Sequence, residues 1–128
     1  MPSLWPPPSA SPPRIMAEML YDAAGDLGRI TDNKLDFYVD AIGVADPPAG
    51  PATKIRYNCY IRVIKSGNVH LFFQVTTPTA SPFDADLGTP EGEEFLSIRN
   101  ETELIDAITK IMQRPRTAEV INYLLRLA

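Results

Sequence analysis

Two alternating runs joined by a short turn constrain this chain more than any other feature. From Lys54 to Ile64, the residues Ile55, Tyr57, Cys59, Ile61 and Val63 fall on one side of an extended chain. Lys54, Arg56, Asn58, Tyr60 and Arg62 fall on the other. A period of two is the mark of a half-buried strand. The alternation resumes from Val69 to Thr76, predicting Val69, Leu71, Phe73 and Val75 inward and His70, Phe72 and Gln74 outward. Between the runs, Lys65-Ser-Gly-Asn68 reads as a hairpin turn in which glycine supplies positive φ. Such a hairpin buries one face and offers the other to solvent or a partner.

The remaining elements assemble around it. Leu35 to Val44 alternates as well, with Leu35, Phe37, Val39 and Ala41 opposite Asp36, Tyr38 and Asp40. Asp46-Pro-Pro-Ala-Gly-Pro51 can only be a connection. Thr77 to Gly92 reads as a long loop, and Glu94 to Arg99 as a fourth strand. Ile15 to Ala24 is predicted helical, with Ile15, Met19 and Ala23 in register beside Leu20, before Gly25 and Gly28 loosen the chain. Asn100 with Glu103 forms a capping signal for a helix whose stripe is Leu104, Ile105, Ile108, Ile111 and Met112. Pro115 ends that helix, and Thr117 is placed to cap a last one facing Val120, Ile121, Leu124 and Leu125 inward. The fold class is therefore α+β: an antiparallel sheet of about four strands, a short N-terminal helix, and two C-terminal helices packed on one face.

Six prolines within the first 13 residues make residues 1–14 an extended arm, with residues 15–128 a single domain. Leu4 and Trp5 are the arm's large apolar groups, and Met16 is an alternative start. At 128 residues, 45% hydrophobic and 22% charged, the chain has room for one core and is not disordered throughout. Twelve basic residues against 16 acidic ones give a net charge of -4, so nothing draws the whole molecule to nucleic acid or an anionic membrane. No stretch approaches the ~20 apolar residues of a membrane span. The start has neither the basic residues nor the apolar run of a secretory signal, which makes the cytoplasm the expected location.

Catalytic chemistry has little to work with. The single histidine, His70, rules out paired-histidine zinc motifs, and the single cysteine, Cys59, rules out internal disulfides and multi-cysteine metal sites. Cys59 is expected inward and His70 outward, on opposite sides of the sheet. Asp36 and Asp40 share a strand face but stand roughly 13 Å apart, beyond the ~5–9.5 Å of a glycosidase pair. The acidic segment Asp84-Ala-Asp86-Leu-Gly88 with Glu91, Glu93 and Glu94 departs from the calcium-loop spacing. It reads as a solvated loop. No phosphate-binding or nucleophile-elbow glycine motif occurs. The expectation is no enzyme, no catalytic residues, no cofactor and no metal, unless a polar pocket joins His70 to an acid.

What stands out is the outward face of the hairpin: Arg56, Tyr60, Arg62, His70, Phe72 and Gln74, with Tyr38 on a neighbouring strand. Tyrosine, phenylalanine and arginine are enriched at protein interfaces. They also stack on bases and hold phosphates in single-strand binders. The order of four strands before a helix resembles small single-strand-binding folds of the Whirly and Pur-repeat kind. That resemblance implies nucleic acid as a partner but carries over no site residue. The favoured expectation is a non-catalytic module that binds a protein partner, or itself, through this face. A single-stranded nucleic-acid binder using the same face is the alternative.

Overall fold

The computed structural model describes residues 15–45, 50–79, 83–92 and 95–128. The proline-rich arm, the start of the 46–51 connection, Glu93 and Glu94 lie outside these residues. In chain order the elements are α1 (Met16–Ala24), α2 (Leu27–Ile30), β1 (Leu35–Ala45), β2 (Ala52–Val63), β3 (Val69–Pro78), β4 (Ala85–Gly88), β5 (Phe95–Ile98), α3 (Glu101–Met112) and α4 (Pro115–Leu127). The five strands form one antiparallel sheet in the order β1-β2-β3-β4-β5, so every strand pairs with its neighbour in sequence. The class is α+β. No helix among the described residues is long and apolar enough to cross a membrane.

The sheet has one strand more than its sequence pattern suggests. Strand β4 lies inside the segment expected to be a loop, entered through Asp84 at φ 66°. Four residues containing a glycine and two inward groups, Ala85 and Leu87, are too few for periodicity to declare a strand. Pairing on both sides holds it in place. Helix α2 was likewise invisible: its single turn sits where Gly25 and Gly28 suggested loose chain. Thr31 closes it by donating its hydroxyl to the Leu27 carbonyl at 2.7 Å.

The helices cover one side of the sheet. Leu35, Phe37, Cys59, Ile61, Val63, Phe73, Val75, Leu87 and Ile98 meet Met16, Met19, Leu20, Leu104, Ile108 and Ile111 in a shared core. The α1 stripe is turned from the expected one, because Ile15 is the exposed N-cap while Met16 and Ala24 are buried. In α3, Ile105 and Met112 are exposed, leaving Leu104, Ala107, Ile108 and Ile111 as the buried face. Asn100 caps α3 as expected, its Oδ1 accepting the Glu103 amide at 2.8 Å. Glu103 answers by accepting from the Arg99 amide, one residue earlier than in a standard capping box. Asn100→Ala is expected to cost about 1 kcal/mol in a urea-unfolding comparison.

The start of α4 also departs from expectation. Pro115 does not merely end α3 but occupies the first turn of α4, where its missing amide is no loss. Thr117 is therefore inside the helix rather than capping it. Its buried hydroxyl donates to the Ile111 carbonyl at 2.6 Å, tying the end of α3 to the start of α4.

Candidate binding face

The side of the sheet away from the helices is built row by row from cross-strand partners. Asp36, Arg62 and Val69 form one row, and Tyr38, Tyr60 and Leu71 the next. Asp40, Asn58, Gln74, Gly88 and Phe95 form the third, and Ile42, Arg56, Thr76, Asp86 and Ser97 the fourth. Of the expected binding residues, Arg56, Tyr60, Arg62 and Gln74 share this face. Tyr38 joins them, and so does Phe95, which is 72% exposed.

His70 and Phe72 do not belong to it, contrary to the sequence reading. The β2–β3 register shifts between Cys59 and Tyr60: Cys59 faces Phe73, Tyr60 faces Leu71, and Phe72 is the extra residue. This bulge reverses the alternation of β3 on its turn side. Phe72 enters the core at 8% exposure beside Phe73 at 0%, their ring centroids 5.2 Å apart. His70 pairs with inward-facing Ile61, while Leu71 and Val69 come out beside Tyr60 and Arg62. One warning was present in the sequence. Leu71-Phe72-Phe73 places three large apolar residues in succession, and no unbroken alternation buries the two aromatics together.

The face is organised rather than loosely charged. Arg62 donates from Nε to Asp36 Oδ1 at 2.9 Å and from Nη2 to Oδ2, a two-pronged pair of fixed geometry. Hydrogen bonding to Asp36, reinforced by its charge, raises the guanidinium further above its ordinary range. The same guanidinium carbon lies 5.1 Å from the centre of the Tyr38 ring, and Tyr38 and Tyr60 lie 6.1 Å apart. Below them Gln74 donates to Asn58 at 2.7 Å, which satisfies an amide that the sheet has nearly sealed. These contacts hold the rings in place before any partner arrives, lowering the ordering cost of binding.

The other side of the sheet accounts for the reactive groups. Cys59 is buried, and burial pushes its thiol well above the ordinary range, so it is no nucleophile at neutral pH. His70 borders an open cleft of about 380 Å³ with Arg116, Glu119, Val120 and Tyr123. Arg116 holds Glu119 at 3.6 Å, and Thr117 in the adjoining recess has committed its hydroxyl to Ile111. Among the described residues no three metal-ligating side chains cluster. No family model, curated protein or solved structure matches the chain. The likeness in strand order to Whirly and Pur-repeat folds therefore gains no support.

Proposed function

We propose that this chain is a non-catalytic interaction module that binds a protein surface through the open sheet face. The observation carrying this reading is the Tyr38–Tyr60–Leu71 row, flanked by an Arg62 whose charge Asp36 already answers. An immobilised pair of tyrosines beside aliphatic surface suits a desolvated protein contact. On the described face, Asp36, Asp40 and Asp86 stand against Lys54, Arg56 and Arg62, three acids to three bases. That balance weighs against the alternative, because single-strand binders rely on uncompensated positive charge. The His70 cleft does bring a histidine and an acid together. Its acid is held by Arg116 and the cleft is open to solvent, so a non-catalytic role fits better.

The test uses Tyr38→Ala/Tyr60→Ala, checked by circular dichroism for retained fold. Proteins captured from nuclease-treated native extract by the wild type are expected to be lost with the double variant. Equal capture by both would remove the proposal. Fluorescent oligothymidylate is expected to show no binding at low salt; binding that weakens steeply with salt would replace this reading with the nucleic-acid one.

A further inference from the structure

We infer that β1 is a self-pairing edge, through which a second copy of the chain extends the sheet. The inference rests on the interaction-module reading and names one partner for it.

Strand β1 is one of the sheet's two edge strands, and among the described residues its backbone is managed along half its length only. Val39 donates its amide to the Tyr21 hydroxyl at 3.0 Å rather than to β2, which shows that the odd positions direct their backbone groups outward. At Leu35 those outward groups are satisfied as well, since Thr31 Oγ1 accepts from the Leu35 amide and lies 3.2 Å from its carbonyl. Helices α1 and α2 supply these partners. Beyond Val39 no described residue continues the cover. No described residue bonds to the outward groups of Ala41 and Gly43, and both residues are exposed.

Edges of this kind are normally blunted by lysine, proline or a bulge. From Ala41 to Val44 this one carries Ala-Ile-Gly-Val, with no charge, no proline and no register shift before Val44. Ile42 is 43% exposed at its middle. A bare ladder of amides and carbonyls with small or aliphatic side chains is a template for strand addition.

The composition of the edge selects a second copy as the occupant. Antiparallel pairing about a two-fold axis at Ile42 sets Ala41 against Gly43 of the second copy, and Gly43 against its Ala41. All four residues present outward groups, so the bonds form in reciprocal pairs. On the open face Ile42 meets Ile42 of the second copy. Asp40 falls beside Val44 of the second copy, whose own β2 partner is Lys54. Each Asp40 thus approaches a lysine two strands away, about 10 Å between backbones and within reach of the two side chains. The two Asp40 carboxylates stay apart. Among the described residues Asp40 and Lys54 make no ion pair within one chain, so this complementarity is available. The proline-rich arm is a poorer occupant, because consecutive prolines Pro6, Pro7 and Pro8 have no amides to donate. Pairing would join two Tyr38–Tyr60 rows into one continuous face.

Sedimentation velocity of the full chain from micromolar to millimolar concentration tests this. Wild type is expected to pass from monomer to dimer as concentration rises. Ala41→Pro removes an outward amide without touching the β2 ladder, and is expected to weaken dimerisation at least about tenfold with the fold retained. Should that variant unfold, Ile42→Lys and Ile42→Glu serve instead: each alone stays monomeric, and an equimolar mixture dimerises. A wild type that stays monomeric throughout, or a dimer indifferent to these edge changes, overturns the inference. A dimer lost with Tyr38→Ala/Tyr60→Ala but kept with Ala41→Pro also overturns it, while leaving the open-face proposal standing.

Discussion

Phe72→Ala is expected to destabilise the fold by about 3–5 kcal/mol, read as a lowered urea midpoint with little change in slope. The side chain is an aromatic on the helix side of the sheet, packed on Phe73 and bordering an open apolar pocket of about 200 Å³. Leu27, Ile30, Phe37, Ile61, Met112 and Ile121 line that pocket. Removing the ring loses its packing on Phe73 and deepens that pocket, so the cost combines lost burial with unfilled volume. Tyr60→Ala, on the opposite side, removes a half-exposed ring and is expected to cost about 1 kcal/mol or less. The contrast tests the bulge itself. If the two substitutions cost the same, Phe72 is not in the core. The result also decides which variants can probe binding: a Phe72 substitution would report folding, whereas Tyr38 and Tyr60 report the face.

Thr117→Val is expected to cost about 1–2 kcal/mol, and Thr117→Ser clearly less. The carbonyl of Ile111 belongs to the last turn of α3, where acceptors have no partner within the helix. It receives the Thr117 hydroxyl at 2.6 Å and the Arg114 amide at 3.2 Å. Valine matches threonine in shape and leaves only the amide, so the loss measures the hydroxyl bond rather than a cavity. Thermal unfolding of both variants separates the two contributions. A larger loss in the serine variant than in the valine variant would mean that packing of the methyl group, more than the bond, holds the helices together. Because α4 roofs the His70 cleft, the valine variant should also loosen this end of the molecule while leaving the open face unchanged.

Local pattern was sufficient wherever one face of an element decided its fate. Strands β1, β2 and β3 were legible because their alternation runs over eight or more residues, and α3 because Asn100 states its start chemically. Strand β4 and helix α2 were not, since each is four residues long and owes its form to neighbours distant in sequence. Of the six residues expected to bind, four lie on the expected face. The two that did not, His70 and Phe72, lie on the turn side of a single inserted position.

The chain's own order of residues thus settled its class, its hairpin, and the bounds of α1, α3 and α4 to within a turn. Tertiary packing alone decided the sense of the β3 side chains and the half of β1 that the described residues leave without cover. Alternation states that two sides differ but not where the count slips by one. That slip lets the helices bury Phe72 and Phe73 together, a free energy shared among residues from both ends of the chain.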